Sequence, residues 1–376
     1  MSIGLTSCIQ AQQSPAEQIR AAQSSGNYAE AAKLYHRLID SGTDSPEIRS
    51  NYGIMLHLAG QNRAAMEQFR LALHGNPTLA SANLFAGLTE LDLGETKAAV
   101  PYLKRAQQLD PERPMPLLGL AKLYVAQHEY SLANQSYGNA AALDSNLAEA
   151  WYGLGVTDRS LAEELLNQAA KTGKPNDEVK LKVQKLLDSA LRALTRAAEL
   201  DPNSARVHLI MAESLSDAGK LVDAVGEYQF AIKLDPQLDA AYLGLATTYW
   251  KQRQFDEALP YLKNFVTKSP KDPEANGIMA DILQRQGDNS RARDYALIAL
   301  AGNPDLIETH IVLARVYLAE QQPQLAIAEL HKVIAADPDG SYHFLLYRAY
   351  RQTGDEQQAK AAIAGYKQYR YGEPDR

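Results

Sequence analysis

Ten alanines fall at near-constant spacing along this chain: Ala31, Ala65, Ala99, Ala133, Ala190, Ala224, Ala258, Ala292, Ala326 and Ala359. The interval is 34 residues except between Ala133 and Ala190, where it is 57, and between Ala326 and Ala359, where it is 33. A fixed period of this size is incompatible with one continuous globular core. It calls for stacked units, each burying its apolar face against its neighbours. The length of 376 residues therefore sets the number of units rather than the number of ordinary domains.

One unit, from Ser204 to Pro236, shows the grammar. Val207, Leu209, Met211 and Leu215 recur at helical spacing, and Gly219 then breaks the pattern. Ala224, Tyr228 and Ala231 share one face of a second helix, four and three residues apart. Leu234-Asp235-Pro236 ends it, because proline cannot continue a helix and disfavours helical backbone at the residue before it. The eighth position of each first helix is small: Gly53, Gly87, Ala121, Gly155, Ala212, Ala246, Ala280 and Ala314. Small residues here, facing the alanine row, predict close helix approach with larger side chains interlocked around them. Proline recurs at the unit ends as Pro77, Pro111, Pro202, Pro236, Pro270, Pro304 and Pro338.

The segments Ala150-Trp151-Tyr152-Gly153-Leu154-Gly155, Ala240-Ala241-Tyr242 through Tyr249 and Phe255-Asp256-Glu257-Ala258 carry a resemblance, together with the Asp-Pro unit ends. They resemble the tetratricopeptide repeat family over residues 12–373. The resemblance implies an all-α, right-handed superhelical solenoid of about ten helical hairpins. It also implies a concave groove, lined by first helices, that holds a peptide or a partner helix, and it brings no catalysis. The organisation expected is a disordered N-terminus or signal remnant at 1–11, repeats one to four at 12–147, an interrupted fifth repeat at 148–204, and repeats six to ten with a C-terminal cap at 205–373.

The fifth unit carries 23 extra residues. Asp158 to Lys171 reads as helix, Thr172 to Asp177 as a turn with an Asn/Asp cap, and Glu178 to Leu200 as helix again. The simplest arrangement lengthens both helices by about 11 residues, a spur of roughly 17 Å. It either packs on itself or, through residues 158–188, supports self-association, which requires half-exposed apolar side chains. The end units depart from the pattern, with Ile19 and Tyr347 at the eighth position, as capping units do.

Charge and composition narrow the function. The net charge is −7 with no block of Lys and Arg, so neither nucleic acid nor an anionic membrane surface is an expected partner. No apolar run approaches a membrane span. The single cysteine, Cys8, excludes an internal disulfide. Leu5-Thr6-Ser7-Cys8 resembles the lipobox of bacterial lipoproteins, with Cys8 as the lipidated residue. Only seven residues precede it, none of them basic, where an export signal has a basic start and a longer apolar stretch. Two readings stay open: an incidental cysteine in a disordered terminus of a cytoplasmic protein, or the tail of a shortened signal, favouring an extracytoplasmic location.

Candidate chemistry is sparse. The eight histidines form no His-x-x-x-His pair, there is no phosphate-binding Gly-rich loop, and no nucleophile elbow appears. No cofactor or metal is expected. Glu90 and Asp158 take the eleventh position, held by Leu or Tyr elsewhere, and each is expected to reach a groove edge or a nearby Arg or Tyr. The inward positions of the first helices give the candidate groove: Leu84, Leu88, Leu118, Lys122, Tyr152, Val156, Arg159, Leu209, Glu213, Leu243 and Trp250, then Arg285 and Arg315. An apolar middle suits an amphipathic helix or extended apolar peptide, and the more basic end suits acidic residues of the same ligand. Tyr152 and Trp250 are the expected aromatic anchors. The function expected is a non-catalytic protein–protein interaction scaffold. Its alternatives are an extracytoplasmic assembly or export factor and an accessory arm for a separately encoded enzyme.

Overall fold

The computed structural model describes residues 14–172 and 176–371. Among these there is no β-strand. The chain divides after Pro202 into two compact units, each a stack of antiparallel helical hairpins. In the first, α1 (Pro15–Ser24) pairs with α2 (Tyr28–Asp40), α3 (Pro46–Leu58) with α4 (Asn62–Gly75), α5 (Ala80–Asp92) with α6 (Thr96–Leu109), α7 (Met115–Ala126) with α8 (Tyr130–Leu143), and α9 (Ala148–Thr172) with α10 (Asp177–Leu200). In the second, α11 (Ala205–Asp217) pairs with α12 (Leu221–Leu234), α13 (Asp239–Lys251) with α14 (Phe255–Lys268), α15 (Pro273–Arg285) with α16 (Asn289–Gly302), α17 (Ile307–Ala319) with α18 (Pro323–Val333), and α19 (Ser341–Thr353) with α20 (Glu356–Tyr371).

The alanine row is the spine of both units. Nine of the ten are fully buried and Ala359 is 1% exposed. Four residues beyond the row stands the side chain that fills the crossing: Phe69, Leu103, Leu194, Leu262 and Leu330 are all fully buried. Each of the first three lies over a glycine. A Cβ added to Gly53 would come 2.7 Å from the Phe69 ring, one on Gly87 2.6 Å from Leu103, and one on Gly155 2.4 Å from Leu194. Where the same site holds tyrosine, the glycine moves to the following first helix, as for Tyr137 over Gly153 and Tyr228 over Gly244. Small residues thus make room for one large knob per crossing.

The turn inside each regular hairpin reverses through one residue of left-handed backbone. In six of these turns it is glycine, at Gly26, Gly60, Gly94, Gly219, Gly287 and Gly354. In three it is His128, Arg253 or Gln321, with φ of 59°, 61° and 59°. The bonding is the same in both groups. Gly60 N–H donates to the His57 carbonyl and Gln61 N–H to that of Leu56, while Arg253 and Gln254 N–H donate to Trp250 and Tyr249. This closes the last turn of the first helix. In the fifth hairpin the same register falls on Ala162, a strong helix former, and the helix runs on. α9 reaches 25 residues and α10 24, against 13 and 14 for α11 and α12, so both helices are lengthened as expected. Asn176 caps α10, its Oδ1 accepting from Val179 N–H at 2.9 Å.

Between hairpins a second device recurs. A donor at the fourth position of the first helix reaches a carbonyl six residues back: Asn83 to Pro77, Trp151 to Ser145, Tyr242 to Pro236, Asn276 to Pro270 and His310 to Pro304, at 2.9–3.3 Å. These bonds satisfy turn carbonyls that the helices leave unpaired. At the last junction a different device is used: the Asp337 carboxylate accepts from backbone N–H groups at the start of α19.

Candidate ligand-binding face

Within each unit the first helices lie side by side, α3 to α9 in one and α11 to α19 in the other. Their shared face is where the candidate residues were sought. Leu84, Leu118 and Leu209 do not belong to an open surface, being 3%, 2% and 8% exposed. Leu84 shares a core cluster with Leu120 and Leu123 of the next first helix, so the apolar pattern there serves packing between hairpins. Leu88, Tyr152, Val156, Leu243 and Trp250 are half-buried, as are Arg159 and Glu213. Lys122 is exposed and ion-paired with Glu149. Cys8 lies outside the described residues.

The second unit holds a formed cavity of about 520 Å³ on this face. Of the predicted residues only Trp250 lines it. Its floor is apolar, with Ile278, Val312 and Tyr342 each no more than 5% exposed. Gly277 stands on its lining at the fifth position, where α5, α7, α11 and α13 carry Leu84, Leu118, Leu209 and Leu243. A Cβ added there would come 2.8 Å from Thr309 Oγ1 of α17, so the glycine lets α15 and α17 approach closely beside the cavity. Glu274, Asp305 and Glu308 form the rim, all exposed.

Asp281 organises the wall. Its carboxylate, 5% exposed, accepts from Trp250 Nε1–H at 2.8 Å and from Arg285 Nε–H at 2.8 Å, and Arg315 lies 4.0 Å away. Arg285 also sits over the Phe255 ring at 5.3 Å. A buried carboxylate requires such partners, and they hold the indole in one orientation. Arg285 and Arg315 therefore share one carboxylate inside the fold. They line a separate, polar cavity of about 860 Å³ with Arg253, Asp256 and Glu257. The arginines of the expected basic end line this polar cavity, whereas the rim of the Trp250 cavity is acidic. Glu274, Ile278, Glu308 and Val312 were missed: Leu243 and Trp250 carried forward by one and two periods reach Gly277, Gln284, Ile311 and Leu318 instead.

The two unusual carboxylates are held as their burial demands. Glu90, 5% exposed, pairs with Arg70 at 3.7 Å. Asp158, 6% exposed, accepts from Asn134 Nδ2–H at 2.8 Å. Burial raises its pKa, against the lowering effect of hydrogen bonds from Ser189 and Asn134 and the charge of Arg192. In the spur Val183 and Leu187 are buried between α9 and α10, and Leu166 and Leu181 are exposed at 39% and 56%. Among the described residues no group of three or more His, Cys, Asp or Glu is placed to hold a metal, and no helix is long and apolar enough to cross a membrane.

Comparison with known proteins agrees with this architecture. The tetratricopeptide repeat signature matches residues 17–80, 181–239 and 243–307, and a second signature of the same description matches 80–113. A TPR repeat-containing protein, YpiA of Bacillus subtilis, is 23% identical over 325 residues, covering 77% of this chain and 71% of its own length. Cellulose synthase 2 operon protein C of Komagataeibacter xylinus is 25% identical over 287 residues, 66% of this chain but 22% of that protein. Among solved structures, pilF of Pseudomonas aeruginosa superposes with a TM-score of 0.50 at 21% identity, over 62% of this chain and 96% of its own.

Proposed function

We propose, for a chain that belongs to the tetratricopeptide repeat family, that the first-helix face is a groove for a peptide or helix of a partner protein, and that the chain is a non-catalytic scaffold. The observation that carries this reading is the cavity beside Trp250. A concave, largely apolar space with an oriented aromatic wall and a polar rim is the usual form of a recognition pocket. Family membership supports the general scaffold role.

A site-directed crosslink tests it. Benzoylphenylalanine placed at Ile307, on the cavity lining, is compared with the same group at Val222, 79% exposed on a second helix. After irradiation in extract of the source organism, protein adducts at 307 that are absent at 222 support the groove. Adducts at both positions or at neither count against it.

A further inference from the structure

We propose that the Trp250 cavity recognises a basic segment of its partner: a Lys or Arg side chain engages the rim while an adjacent apolar side chain seats on Ile278 and Val312. The inference rests on the groove reading above and assigns its ligand chemistry. Three observations carry it.

The first is shape. The face carries here an apolar depression of about 520 Å³, floored by Ile278, Val312 and Tyr342 and lined by α15 and α17. The second is charge. Glu274, Asp305 and Glu308 surround the opening, and among the described residues none of the three is ion-paired to a Lys or Arg. Asp281, deeper in the wall, is already bonded by Trp250 and Arg285 and lies 4.0 Å from Arg315, and both arginines line the separate polar cavity and not this one. A rim charge raised over a low-dielectric floor focuses the field at the opening and favours a cation there. The third is the neighbouring Tyr342, whose hydroxyl is pushed up to about 12 by burial together with the charges of Glu308 and Asp337. Burial is the first cause, and the two carboxylate charges add to it, in keeping with the acidic rim.

An aliphatic or aromatic side chain gains by leaving water for the floor, and a neighbouring Lys or Arg stem lies along the indole of Trp250 with its charge at the rim. An acidic peptide would meet like charge at three positions.

The experiment pans a random dodecapeptide library against the immobilised full chain, in parallel with a Glu274→Lys/Glu308→Lys variant. Both positions are exposed, and the variant's thermal melting is measured beside the parent. On the parent, enriched peptides are expected to carry Lys or Arg close to Leu, Ile, Phe or Met. On the variant, Asp or Glu is expected to replace the basic residue. A synthetic peptide from the parent pool, titrated by calorimetry, should bind a Glu274→Gln/Glu308→Gln variant about tenfold more weakly or worse, and lose affinity as salt is raised. Apolar peptides without basic bias, or the same peptides on parent and charge-reversed variant, would overturn the ligand assignment while leaving the groove intact. Enrichment on neither protein would overturn both.

Discussion

At the residue scale, stability turns on single contacts repeated with the period. Gly155 is the tightest of the eighth-position glycines, because an added Cβ would lie 2.4 Å from Leu194, a fully buried side chain. Gly155→Leu is expected to cost about 1–3 kcal/mol through overpacking, read by chemical denaturation against the parent. The hairpin turns give a prediction of opposite sign. Arg253 holds a φ of 61° where the equivalent residue in six other turns is glycine. Arg253→Gly should leave stability unchanged or raise it by up to about 1 kcal/mol, whereas Gly219→Ala should lower it by about 1 kcal/mol. Equal melting temperatures for parent and Gly219→Ala would show that the left-handed turn carries no strain for a side chain.

At the scale of elements, what fixes one hairpin on the next is the turn between them, and the last junction is the most elaborate. Asp337 is 6% exposed and accepts from the backbone N–H of Gly340, Tyr342 and His343, and from His343 Nδ1 at 2.6 Å. It therefore serves α19 much as an N-cap does, reached from four residues before the first residue of the helix. Burial alone would raise its pKa, but the bonds from His343 and the backbone outweigh this and hold it below the ordinary carboxylate range. A carboxylate depressed in the folded state stabilises at every pH above its unfolded value. That contribution is lost as pH falls through the folded value. Asp337→Ala should accordingly cost about 1–2 kcal/mol near neutrality, with the difference from the parent shrinking in acid. Melting curves across the acid range check the sign: a gap that widened as pH fell would exclude this account.

At the scale of the molecule, a stack without a cap exposes an apolar end. The pair α19 and α20 contributes Tyr342, Leu345, Leu346, Ala349 and Ala362 to the core cluster that contains Leu330 and Val333. Removing residues 340–376 should uncover that surface and drive aggregation, seen by light scattering. A truncated chain that stayed monodisperse with unchanged melting would show that the preceding hairpin caps itself.

The repeat was legible because packing against a neighbour imposes a residue type at a fixed position. The alanine row, the small eighth position, the terminal prolines and the lengthened helices of the fifth unit all follow from backbone distance or chain stiffness, which are local in sequence. His128, Arg253 and Gln321 show where that legibility thins: their spacing of 34 residues from Gly94, Gly219 and Gly287 marks the turn, but their identity hides it. The binding face was read less well, for a physical reason. Leu84, Leu118 and Leu209 are apolar because the neighbouring first helix covers them, and a half-open groove would demand the same residue type. Burial separates the two cases, and burial depends on side chains from three helices at once. Likewise the charge of Arg285 and Arg315 was visible in the chain, but their sharing of Asp281, and the apolar cavity beside an acidic rim, arise only when α13, α15 and α17 are brought together.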